Sequence, residues 1–187
     1  MMPLLEQHTK VVIPAMKEKF GYKNDMAVPK ITKVVVNTSF GRLTTGKTKS
    51  EAAALYGPIV EDLAKITGQR PVITKAKKSI STFKLRQGMP VGAKVTLRGI
   101  KMNAMIEKVV NIVLPRTRDF EGLEIKSVDK SGNLTIGIKE HIVFPEISAE
   151  NIKRIFGLEV VITTTAKTHE QGLELFRLLG FPIKKDA

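Results

Sequence analysis

Apolar positions recur at helical spacing through Leu4, Leu5, Val12, Met16 and Phe20, with Gly21 following as a stop, so the chain opens on a helix. Pro14 lacks the amide that would close the ladder and predicts a kink there, or the start of the helix's second half. The period then switches to two. In KITKVVVNTSF (30–40) Lys33, Val35 and Asn37 share one face of a strand while Val34 and Val36 take the other, which gives a partly polar and a buried side.

Helical spacing returns from Ser50 to Ile66, with Gly57-Pro58 reading as a break and Gly68 as the end. QRPVITKA is a short strand, SISTFKLRQGMP a basic excursion, and VGAKVTLRG a strand in which Lys94, Thr96 and Arg98 alternate with Val95 and Leu97. Lys101–Leu114 predicts a helix with Met105, Val109, Ile112 and Val113 as its apolar stripe, stopped by Pro115. EIKSV and NLTIGIK read as two strands joined through Asp129-Lys130-Ser131-Gly132, IVFPEI as an apolar loop, and EVVITTTA as a further strand. Thr168-His169-Glu170-Gln171 has capping-box spacing and opens a last helix that runs to Leu179, before Gly180 and Pro182. Mixed helices and locally antiparallel strands predict one α+β domain over 1–187: helices on one face of a largely antiparallel sheet, the other face open. That open face carries Lys33, Asn37, Lys94, Thr96 and Arg98 and is the expected seat of RNA or DNA.

Charge sharpens this picture. The chain has 187 residues and a net charge of +13, but residues 1–106 hold 19 basic and 6 acidic side chains, while 107–187 hold 12 of each. A basic half (1–106) is joined to a neutral half (107–187). Between Leu63 and Ile106 there are ten cations and no acid, the footprint of a polyanion partner. The excursion 75–90 adds hydroxyl groups and Phe83 to five cations, a mixture suited to phosphates, riboses and one stacked ring. With no cysteine, thiolate metal sites and thiol nucleophiles are excluded, and a cytosolic setting is expected. Glu6, His8 and Lys10 interrupt the apolar run that a signal peptide needs, and no stretch approaches a membrane span, so no membrane partner is expected.

One motif pulls the other way. GRLTTGKT (Gly41–Thr48) matches the phosphate-loop pattern G-x-x-x-x-G-K-[ST] and raises the alternative of a nucleotide hydrolase. Such an enzyme also needs an acidic residue ending a second strand of a parallel sheet, and no strand here supplies one. Thr48-Lys49-Ser50-Glu51 is moreover a capping-box pattern, which gives the Thr48 hydroxyl a helix to cap. His8, His141 and His169 are scattered, and no zinc spacing or serine elbow is present. No catalytic residue, metal site or cofactor is expected.

The runs VVVN, ITGQRPVITKAKKSISTFKLRQGMPVGAKVTLRG, LPRTRDFEGL, GIKEHIVFPEI and ELFRLLGFP, in that order, closely resemble the bacterial large-subunit ribosomal protein five family, whose members carry 5S rRNA in the central protuberance. The resemblance spans nearly the whole chain. It implies a structural protein of the cytoplasmic ribosome whose sheet face and nearby loops touch 5S rRNA, by position at Lys33, Asn37, Gln69, Thr96 and Arg98. Lys94 lies on the same face, and Arg42 and Lys47 of the GRLTTGKT loop join this expected surface. The excursion resembles the family's loop that approaches P-site tRNA, which implies contacts from Lys75, Lys77, Lys78, Ser79, Lys84 and Arg86. Further implied partners are 23S rRNA, neighbouring large-subunit proteins and, through a bridge placed on the neutral half, small-subunit protein thirteen. TSFGRLTTGKTKS (38–50) departs from the family's pattern. A free RNA chaperone is the remaining alternative.

Overall fold

The computed structural model describes residues 3–118, 120–148 and 152–184. Its helices are α1 (Leu4–Gln7), α2 (Ile13–Phe20), α3 (Gly41–Thr44), α4 (Lys49–Thr67), α5 (Gly99–Lys108), α6 (Leu114–Arg116) and α7 (His169–Leu178). The strands β1 (Ile31–Ser39), β2 (Val72–Lys75), β3 (Pro90–Leu97), β4 (Leu134–Ile138) and β5 (Leu158–Thr164) form one antiparallel sheet in the order β2-β3-β1-β5-β4. The α+β class read from the sequence is the class observed.

The chain divides into two compact units. One is built from residues 1–34, 97–136 and 161–187, the other from 35–96 and 137–160. In the first, the Leu4 amide donates to the Glu107 carboxylate at 3.0 Å and the Gln7 side-chain amide to the Leu178 carbonyl at 3.0 Å, around buried Val12, Met16, Met105, Leu175 and Phe176. In the second, α4 buries Ala52, Ile59, Leu63 and Ile66 while strand positions Val36, Ala93 and Val95 are buried too. Phe40, just past β1, stacks on Tyr56 of α4 with ring centres 5.1 Å apart.

Both internal prolines near helix junctions are met by the same device. A π-turn, His8–Val12, joins α1 to α2 ahead of Pro14, and another, Val109–Val113, joins α5 to α6 ahead of Pro115. A widened turn lets the ladder bridge the missing proline amide, so the helical path continues instead of ending. Pro115 therefore sits within the helical run, which ends one residue later at Arg116, and Ile112 of the predicted stripe is 40% exposed.

Three further expectations are corrected. Gly57-Pro58 does not break α4, which runs unbroken to Gly68; the carbonyl that Pro58 leaves unpaired belongs to exposed Ala54, where water can take it. EIKSV is not a strand. Ile125–Ser127 is a 3-10 turn closed by the local bonds Ser127 N to Glu124 O and Val128 N to Ile125 O, and only Val128 bridges to Leu134. The last helix ends at Leu178, and its capping box is half made: Thr168 accepts the Gln171 amide, but the Gln171 side chain accepts from Lys167 and not from Thr168.

Candidate nucleic-acid interface

Strand alternation in the second unit sorts the candidate residues. Val36, Thr38, Ala93 and Val95 are buried, while Asn37 and Thr96 are half-buried and Lys94 is exposed on the opposite side. In the β2–β3 register Lys94 faces Val72, itself 62% exposed, so a cation and an apolar surface lie open together. The Gln69 side chain donates to the Thr96 carbonyl at 3.3 Å, which brings it from the end of α4 onto the strand. Asn37, Gln69, Lys94 and Thr96 are thus gathered in one unit. Lys33, half-buried, and Arg98, exposed at the N-cap of α5, fall in the other.

Sequence reading missed Glu159 on this surface. The Asn37 side-chain amide donates to its carboxylate at 3.0 Å, and both line an open hollow of about 410 Å³ with Ser39, Lys139 and Gly157. The period-two pattern of β5 held the signal, since Glu159 stands between buried Leu158 and Val160.

GRLTTGKT folds as something other than a phosphate cradle. Gly41–Thr44 coil into α3, and the amides of Leu43, Thr45 and Lys47 donate to the carbonyls of Phe40, Gly41 and Thr44. A phosphate nest needs such amides free. The buried Thr44 hydroxyl bonds the Pro90 carbonyl at 2.9 Å, and Thr48 and Glu51 complete a full capping box at the start of α4. That box lowers the Glu51 pKa, chiefly through the bond from the Thr48 amide. Arg42 and Lys47 are exposed.

The basic excursion is held by its own backbone. Ala76 N donates to Met89 O at 2.8 Å, Gly88 N to Ala76 O at 3.0 Å, and Ile80 and Leu85 exchange both of their bonds. Lys75, Lys77, Lys78, Lys84 and Arg86 are exposed, whereas the Ser79 hydroxyl is engaged as acceptor for the Gln87 amide at 2.9 Å. Among the described residues no group of acids or histidines has metal-binding geometry, and no helix is long and apolar enough to cross a membrane.

Two family profiles cover most of this chain: one described as ribosomal protein L5 matches residues 24–86, and one described as the ribosomal L5P family C-terminus matches 90–183. Large ribosomal subunit protein uL5 of Dictyoglomus turgidum is 52% identical over 97% of this chain and 98% of its own length. The uL5 proteins of Halothermothrix orenii and Clostridium botulinum are each 50% identical, over 97% and 99% of the chain and 98% and 100% of their own lengths. The chain belongs to the ribosomal L5 family. It is therefore a structural constituent of the large ribosomal subunit, in a family of ribosomal proteins and not of enzymes. The atypical segment 38–50 lies within the L5-matched span.

Proposed function

We propose that this chain acts as a single RNA-binding domain that binds 5S rRNA and helps attach it in the central protuberance of the cytoplasmic large subunit. The observation that carries the reading is the polar sheet face of Asn37, Gln69, Lys94 and Thr96, the last three within the acid-free, cation-rich stretch 63–106 of an L5-family chain. Lys94 supplies charge toward phosphate, and the amides and hydroxyl supply hydrogen bonds to ribose or base edges. Lys33, Arg98, Arg42 and Lys47 make further contacts to the same RNA. The excursion, through Lys75, Lys77, Lys78, Ser79, Lys84 and Arg86, contacts P-site tRNA; Ser79 does so through its remaining hydroxyl capacity. Partners also include 23S rRNA and neighbouring large-subunit proteins, and residues 107–187, neutral overall, meet small-subunit protein thirteen across the subunit interface.

Purified protein should bind 5S rRNA with an affinity that falls steeply as salt rises, because each phosphate contact releases counterions. Lys94→Ala should weaken that binding and flatten its salt dependence. Equal binding to 5S rRNA and to an unrelated RNA of the same length would sink the reading.

A further inference from the structure

One crevice shares no residue with the surfaces assigned to RNA. Three helical segments of the first unit meet around it: α1 with the π-turn that follows, α5 with the π-turn that follows, and the end of α7. It encloses about 250 Å³, and Leu4, Val11, Ile106, Val110 and Leu179 make its lining mostly apolar. The walls are set in place without an occupant. The Leu4 amide ties α1 to the Glu107 carboxylate of α5, and the Gln7 side chain ties α1 to the Leu178 carbonyl of α7. Val11 is left 41% exposed at the edge of the space between them.

A second observation marks the same place. Both π-turns border this crevice: Val11 belongs to His8–Val12, and Val110 and Asn111 belong to Val109–Val113. Widened turns of this kind are frequent at functional sites, and here two line one opening.

Charge narrows the occupant. In a chain of net charge +13, the lining holds one acid, Glu107, and no cation. A phosphate would meet a negative charge with nothing to offset it, and with no aromatic ring in the lining a base has no platform. A two-fold copy of the chain would set one concavity against another and Glu107 against Glu107. A convex, basic protein segment satisfies both shape and charge. A cavity of about 150 Å³ already takes a benzene-sized group, so this one has room for a leucine- to phenylalanine-sized side chain. The carboxylate beside that seat matches a cation carried on the same segment.

We infer that the crevice is a docking seat for a basic segment of another large-subunit protein, which inserts one large apolar side chain between Val11 and Val110 and sets a lysine or arginine against Glu107. The inference deepens, and rests on, the reading that the chain contacts neighbouring large-subunit proteins. It gives that contact a place, a polarity and a partner chemistry.

The cysteine-free chain allows a direct test. Asn111→Cys puts one thiol at the exposed mouth for a benzophenone label, and the labelled protein is assembled into large subunits and irradiated with no small subunits present. One large-subunit protein should be captured, through a segment in which a large apolar residue lies within a helical turn of a lysine or arginine. Val11→Lys, added to the labelled chain, places a cation in the seat and should cut the yield by about tenfold or more, as loss of a buried anchor does. Glu107→Gln keeps an oxygen for the Leu4 amide and removes only the charge, so it should cut the yield several-fold and leave the remainder less sensitive to salt. Urea midpoints and 5S rRNA binding should be unchanged in both; if Val11→Lys lowers the midpoint, Glu107→Gln decides alone. Capture of rRNA, of a second copy of this chain, or of a protein only when small subunits are added would overturn the docking seat, as would a yield that Glu107→Gln does not change. Failure of the chain to enter large subunits would defeat the functional reading and the seat together, whereas entry without capture defeats the seat alone.

Discussion

The side-chain amide of Asn37 donates to the carboxylate of Glu159 at 3.0 Å, so a negative charge is fixed on the sheet face assigned to RNA. If this face binds RNA as proposed, Glu159 orients Asn37 and its fixed charge repels phosphates placed against it, so only an RNA whose other contacts outweigh that repulsion is held. Discrimination by repulsion is a recognised route to specificity. Glu159→Gln should therefore raise affinity for unrelated RNA several-fold while leaving 5S affinity nearly unchanged, and competition binding reads the ratio. An unaltered ratio would remove Glu159 from the specificity account. Asn37→Ala should weaken 5S binding by about 1 kcal/mol, the usual worth of one hydrogen bond.

His141 offers a prediction in pH. Its ring is buried against Phe156, with centres 4.0 Å apart, and among the described residues Nε2 has no hydrogen-bond partner, standing 3.8 Å from the Asp62 carboxylate. Burial lowers its pKa, only partly offset by the charge of Asp62. The unfolded chain therefore binds a proton at higher pH than the folded chain. Stability should be full above the ordinary histidine pKa of about 6.5 and fall as pH drops through it toward the folded value. Urea midpoints between pH 7 and 5 should show the fall, and His141→Phe should flatten it. An equal fall in the variant would assign the effect to other groups.

What could be read along the chain was local. Alternation at Val34, Val36 and Thr38 gave the buried face of β1, and Gly21 and Gly68 stopped their helices in the left-handed conformation expected of them. EIKSV reads as a strand from its β-branched Ile125 and Val128, but these stand three residues apart, the period of a 3-10 turn and not the two of a strand. The π-turns follow from how the helical path continues past each proline, which periodicity does not encode. The Asn37–Glu159 pair joins residues far apart in sequence, on neighbouring strands β1 and β5. Strand order alone brings them together, and no local pattern contains it.

The capping box at Thr48 separates structural and enzymatic roles of the phosphate-loop string. Thr48→Ala removes the acceptor for the Glu51 amide and should cost about 0.5–2 kcal/mol, seen as a lower urea midpoint. Neither it nor Lys47→Ala should alter nucleotide turnover, which should be absent from the pure protein before and after each change. Turnover that depends on Lys47 would restore the enzyme reading. Because the folded Glu51 pKa is depressed, its stabilisation is present above the unfolded carboxyl value and lost as pH falls through the folded one. Glu51→Gln should remove that acidic component.

Two glycines of different surroundings should respond oppositely to alanine. Gly172, in the first turn of α7, lies against Gly132, and a Cβ built on it would stand 2.3 Å from the Gly132 Cα and 2.6 Å from its carbonyl oxygen. The obstacle is backbone on both sides, because the Thr164 hydroxyl and amide hold the Gly132–Asn133 turn at 2.8 and 3.0 Å. Gly172→Ala must push α7 off that turn and should cost about 3 kcal/mol or more, at the upper end of overpacking effects. Gly57, in the middle of α4, has nothing within 4 Å of a built Cβ. Alanine there restricts the unfolded chain and favours the helix, so Gly57→Ala should gain up to about 1 kcal/mol. Urea denaturation of both variants checks the contrast. A mild cost at Gly172 would mean that the turn yields, and a loss at Gly57 would mean that the Pro58 junction needs glycine's freedom.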